Sequence, residues 1–129
     1  MDALHIPPME RSPLVDFNFQ TGRLRIAGES YPEDASLVFG PIFTALDTFL
    51  NNVSDREICF DIELIYFNSS SAKALMNMFK RLESAAQRGN KIEVNWFYDA
   101  EDETMQEFGE DFSEDLEHLK FNLVETVGR

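Results

Sequence analysis

One cysteine, Cys59, and two histidines, His5 and His118, are all that this chain of 129 residues offers to thiol or imidazole chemistry. A lone cysteine closes no internal disulfide and, with no CxxC neighbour, makes no redox or zinc pair, so a reducing cytoplasm is the expected setting. Neither histidine stands at a spacing suited to metal ligation or a catalytic dyad. Glycine is also scarce, with six in all, and none forms a GxGxxG or Walker-type loop ahead of a helix. Ser69 lacks the glycine-flanked elbow of an α/β hydrolase. No apolar run reaches the length of about 20 residues that spans a bilayer, so no membrane insertion is expected. Residues 1–8 have no basic stretch followed by an apolar one, and no signal peptide is expected there. These absences together argue against an enzyme.

Positive charge is the other shortage: 11 basic residues face 24 acidic ones, for a formal net charge of -13 and a pI near 4.4. Such a surface repels phosphates, which excludes nucleic acid and anionic membranes as natural partners. The imbalance is local. Ten acids lie between Asp99 and Glu117 with no Lys or Arg among them, and without that stretch the balance is 14 acids against 11 bases. The segment reads either as a solubilising helix and loop or as an acidic docking surface for a basic partner. Its start, Asp99-Ala100-Glu101-Asp102-Glu103, lacks the glycine and ligand spacing of a calcium loop. The acidity also disfavours tight self-association, so the chain is expected to be monomeric alone.

What is present is ordinary globular material: 43% hydrophobic residues and 12 phenylalanines in a length that fits one domain. Pro7, Pro8 and Pro13 mark residues 1–13 as an extended arm, leaving 14–129 as the domain. Val15, Phe17 and Phe19, then Gln20-Thr21-Gly22, then Leu24 and Ile26 predict a β-hairpin. Residues 28–34 read as a loop. Val38, Ile42, Leu46, Phe49 and Val53 fall at helical spacing, with Gly40-Pro41 weakening the first turns. Residues 57–67 are the clearest strand. Its second face turns apolar towards the end, which predicts a central strand in a sheet covered on both sides. A helix follows through Leu75, Phe79 and Leu82 to Gly89-Asn90, then a strand over 91–98. An amphipathic acidic helix carries Met105, Phe108 and Phe112, and a last strand runs over 120–127. Strands alternating with helices give an α/β domain with a mixed sheet, an N-terminal hairpin and helices packed on it.

Chemistry concentrates at one junction. Asn68, Ser69, Ser70 and Ser71 stand between the carboxyl end of the buried strand and a helix start, the sheet edge where α/β proteins gather binding surfaces. One of the four suffices as a helix N-cap. The others are free for a different role or none. A serine there keeps its hydroxyl near solvent, and a phosphate on it suits the positive helix end, with Lys73 one turn on to pair with it. Asp61 and Glu63, paired on the preceding strand, read as solvated or salt-bridged rather than catalytic.

At these residues the sequence resembles the STAS domains of anti-sigma-factor antagonists, where a strand ends in Asp-Ser-Ser/Thr-Gly and the first serine is phosphorylated. Here the acid and the glycine are both replaced. The chain is more similar to the SiaC-type regulatory phosphoproteins, a STAS-like family with the pattern Gly-x-Ser-Tyr-Pro-Glu, Tyr-x-Asn-[Thr/Ser]-Ser-Ser-x-Lys-Ala and Trp-Phe-Tyr-Asp. This sequence has Gly28-Glu29-Ser30-Tyr31-Pro32-Glu33, Tyr66-Phe67-Asn68-Ser69-Ser70-Ser71-Ala72-Lys73-Ala74 and Trp96-Phe97-Tyr98-Asp99. The resemblance implies a non-enzymatic partner switch without a cofactor. A histidine-kinase-like serine/threonine kinase would phosphorylate Ser69, with Ser70 and Ser71 as lesser candidates, and a PP2C-type phosphatase would reverse it. The unphosphorylated form would bind and stimulate a GGDEF diguanylate cyclase, and so act on cyclic di-GMP and biofilm formation. Asn68, Ser70, Ser71, Lys73 and Tyr31 would lie at the partner surface, and the loop over 30–33 is expected to be exposed. The alternatives are an anti-sigma-factor antagonist bound to an anti-sigma kinase, or a small enzyme or acidic nucleic-acid mimic.

Overall fold

The inward-facing rows of the sheet are the framework from which the rest follows. The computed structural model, which describes residues 3–127, has six strands and three helices, all but the first strand where the apolar patterning predicts them. The strands are β1 (Ala3–Ile6), β2 (Leu14–Asn18), β3 (Arg23–Ser30), β4 (Glu57–Phe67), β5 (Lys91–Asp99) and β6 (Lys120–Thr126). The helices are α1 (Ala35–Leu50), α2 (Ser69–Gln87) and α3 (Glu103–Ser113). The strands lie side by side in chain order, antiparallel from β1 to β3 and parallel from β3 to β6. Residues 3–6 of the expected arm are therefore the outermost strand of the sheet. β3 runs on through Gly28 to Ser30, three residues into the stretch expected to be a loop.

Each helix connects neighbouring parallel strands, and each crossover steps the same way across the sheet. Right-handed crossovers then put all three helices on one face. Ile58, Phe60, Ile62 and Leu64 of β4 and Ile92, Val94 and Trp96 of β5 are buried under them. Phe60 meets Phe17 and Phe79 at ring distances of 5.8 and 6.4 Å, and Trp96 meets Phe112 at 5.3 Å. Among the described residues the opposite face has no helix on it, contrary to the two-sided cover expected from the apolar end of β4. Pairing shows why that end is apolar. Gly28 pairs with Leu64 but Glu29 pairs with Tyr66, so Ile65 is an extra residue, a β-bulge. The bulge returns Phe67 to the core, 6.0 Å from Trp96, and leaves Ile65 and Tyr66 exposed at 73% and 52%.

Two details fix the acidic stretch on this frame. Gly109 of α3 presses on β5 and β6: a Cβ there would sit 2.6 Å from Cδ1 of Trp96 and 2.5 Å from Cδ2 of Leu123. The indole cannot retreat easily, because its Nε1 donates to the Met105 carbonyl at 3.0 Å. After α3, the carboxylate of Glu83 on α2 accepts the backbone N–H groups of Glu117, His118 and Leu119 at 2.9–3.1 Å. The Nδ1 of His118 lies 2.8 Å from the same carboxylate. Burial alone would raise the Glu83 pKa, but these bonds to the charged form outweigh it and hold it at about 2, against an ordinary 4.5.

Two outcomes follow for stability. Gly109→Ala gains about 1 kcal/mol of helix propensity but overpacks against the indole, for a net loss of about 1–2 kcal/mol in urea denaturation. Because the Glu83 pKa is depressed on folding, its contribution is complete above pH 4.5 and fades as pH falls towards 2. The melting temperature of Glu83→Gln should lie on the order of 5 °C below wild type at pH 7, with the gap closing across that window.

Candidate functional site

The parallel strands all end at one edge of the sheet, and β4 hands over to α2 there. Asn68 is the N-cap: its Oδ1 accepts from the Ser71 N–H and the Ser70 hydroxyl, each at 3.0 Å. Its Nδ2 donates to the Pro32 carbonyl at 3.4 Å, and its N–H donates to the Ser30 carbonyl at 3.0 Å. The end of β3 is thereby fastened to the start of α2. Ser71 closes the joint. It is wholly buried, its hydroxyl donates to the Ser30 carbonyl at 3.0 Å, and the two hydroxyl oxygens are 2.7 Å apart. Each hydroxyl has one proton, so the Ser30 hydroxyl donates to Ser71. Both are satisfied without water, as burial requires.

The three serines thus differ in their exposure to solvent. Ser71 is enclosed and twice engaged; Ser70 is half-buried and bonded to the cap; Ser69 is exposed. Lys73, also exposed, stands four residues after Ser69, on the same helix face. Tyr31 is half-buried, and its ring packs edge-on against Tyr66 at 5.9 Å. Of the loop over 30–33, expected to be exposed, Glu33 is at the surface, but Ser30 is 1% exposed and Pro32 is buried. Ser30 belongs to the same inward row as Leu24, Ile26 and Gly28. The period-two pattern of β3, followed from Ile26 through Gly28, would have marked it.

On the open face the charged groups are engaged with one another. Asp61 accepts from Asn95 at 2.9 Å, Asn122 bridges Asn95 and Glu93, and Glu63 lies 3.4 Å from Arg25. Glu63 is thus in an ion pair, as its strand position suggested, and Asp61 is held by the Asn95 amide instead. Desolvation, and then the neighbouring Asp61 charge, raise the pKa of the Cys59 thiol, which stays protonated and is no poised nucleophile. Among the described residues no three or more His, Cys, Asp or Glu side chains group so as to hold a metal, and no helix is long and apolar enough to cross a membrane.

A family model, described as SiaC family regulatory phosphoprotein, matches residues 6–126. The chain belongs to the SiaC family. It is 37% identical, over 89% of its length and 90% of the relative's, to an uncharacterized protein of Pseudomonas aeruginosa strain UCBPP-PA14. Its fold superposes on apo-SiaC of Pseudomonas aeruginosa with a TM-score of 0.87 at 34% identity, covering 96% of this chain and 99% of that one. It superposes as closely, at a TM-score of 0.89 and 35% identity over 95% and 99% of the chains, on SiaC in a crystal structure with the diguanylate cyclase SiaD, whose activator that SiaC is. The resemblance carried by the three motifs thus points to the family that whole-chain comparison finds. The geometry adds that two of the motifs, around Ser30 and around Ser69, are halves of one joint in this chain.

Cap removal tests that joint. Asn68→Ala should cost about 1 kcal/mol in denaturant unfolding and speed hydrogen exchange at the amide of Ser71, while leaving the amides of β5 protected.

Proposed function

We propose that this SiaC-family chain works by binding rather than catalysis, as a partner switch in the cytoplasm. Without phosphate it binds and stimulates a diguanylate cyclase, raising cyclic di-GMP. Phosphorylation of Ser69 by a histidine-kinase-like serine/threonine kinase ends that contact, and a PP2C-type phosphatase restores it. Alone, the chain is a monomer.

The observation that carries this reading is the graded access of the three serines, with Ser69 outermost on a joint whose strength does not depend on its hydroxyl. A phosphate there brings a charge of about -1.5 to -2 to the positive end of α2, where the helix tolerates it, with Lys73 a turn away. The fold therefore survives the modification. A partner resting on the same edge must instead dehydrate a dianion, and binding suffers. The similar SiaC of Pseudomonas aeruginosa is the activator of the diguanylate cyclase SiaD, which supports a diguanylate cyclase as that partner.

Incubation with the cognate kinase and ATP should add a single phosphate by intact mass, absent from Ser69→Ala and retained in Ser70→Ala. Equal labelling of Ser69→Ala, or no labelling of the wild-type chain, overturns the assignment. Ser69→Asp should keep the wild-type circular dichroism spectrum and lose most of its capture of the purified cyclase.

A further inference from the structure

The open sheet face is not uniformly polar. Beside the end of β4 it sinks into a cleft of about 610 Å³ floored by Ala27, Ile65 and Phe97, with Asp99, Glu101 and Asp102 of the β5–α3 turn along its side. An isoleucine 73% exposed in the middle of a six-stranded sheet is unusual. It stands in the outward row of β4 with Asp61 and Glu63, at the point where the bulge interrupts pairing with β3. The acids are held in place: Asp99 accepts the Glu101 N–H at 2.9 Å and Asp102, as N-cap of α3, the Met105 N–H at 3.0 Å. The one cation in the lining, Arg25, lies against Glu63 and leaves the side of the cleft negative.

We propose that this cleft seats an apolar, basic-flanked segment of the partner protein, so that the cyclase is gripped on the open face next to the edge where Ser69 sits. The inference rests on the partner-switch reading. Charge chooses the occupant: an acidic side excludes nucleotides, phospholipid and a second acidic surface of this chain, and favours Lys or Arg flanking an apolar anchor. Continuity joins the cleft to the switch, since Ile65 leads through half-exposed Tyr66 and the cap Asn68 to Ser69. A segment anchored on Ile65 and Phe97 and running towards Tyr66 borders the Ser69 hydroxyl. A phosphate there opposes docking even by a basic segment, because dehydrating a dianion outweighs a solvent-exposed ion pair.

Titration of purified diguanylate cyclase against the unphosphorylated full chain tests this. Ile65→Asp should weaken binding about 30-fold or more, the loss typical of a central apolar anchor. Glu101→Lys, on an exposed turn, should weaken it about fivefold and flatten its salt dependence. Both variants should keep the wild-type circular dichroism spectrum and accept phosphate on Ser69. Wild-type binding that both variants match within about twofold overturns the cleft and leaves the switch standing. No binding by the wild-type chain overturns both. A wild-type dimer that Ile65→Asp turns into monomers in sedimentation gives the cleft to a second copy and also overturns the proposal.

Discussion

The hydroxyl of Ser71 is completely enclosed, and it is satisfied only because Ser30 supplies both a hydroxyl 2.7 Å away and a carbonyl at 3.0 Å. A buried hydroxyl without partners costs more than a typical hydrogen bond contributes, so the end of β3 and the start of α2 have to meet in this one register. The rest of the site follows from that contact. It brings Pro32 within reach of Asn68 and Tyr31 against Tyr66, and it turns the neighbouring Ser69 to solvent. The joint is rigid where the proposed modification falls, so a charge added at Ser69 acts outward, on whatever rests against the edge.

The sheet topology gives that edge its reach. Strands in chain order with crossovers of one hand place every helix on one face, so the C-terminal ends of β3, β4, β5 and β6 and the starts of α1, α2 and α3 gather along one rim. The same rule leaves the other face open. On that face most polar groups are satisfied by one another, through Arg25 and Glu63 or through Asp61, Asn95 and Asn122. The end near Ile65 differs, because the outward row of β4 turns apolar there and the bulge leaves Tyr66 exposed beside it while returning Phe67 to Trp96 and Phe112.

Most of the element order was legible, because it rests on periodicities of two and 3.6 that burial on a single sheet face imposes directly. β4 and α2 begin and end close to where their apolar patterns say, and the N-cap fell among the four residues singled out. Three features were misread, each for a physical reason. The prolines after Ile6 suggested an arm, yet an edge strand needs pairing on one side only, and β2 provides it. Tyr31-Pro32 suggested a loop that swallowed Ser30, although the inward row of β3 continues to it. The apolar run Ile65-Tyr66-Phe67 suggested cover on both faces, because a bulge cannot be told from a two-faced strand until its partner's register is known.

The acidic stretch shows the same division. Its helical phase was readable from Met105, Phe108 and Phe112, but its anchorage was not. That depends on Gly109 lying against Trp96 and on Glu83, far away in the chain, collecting three consecutive N–H groups.

By itself the sequence determined the α/β class, the order of elements, the family motifs and the short list of serines, since local patterning and residue type suffice for these. Only the tertiary structure decided which serine is accessible, which sheet face is open and where an apolar side chain meets a row of acids. Those properties arise from contacts between residues tens of positions apart, such as Ser30 with Ser71, and no local pattern in the chain encodes them.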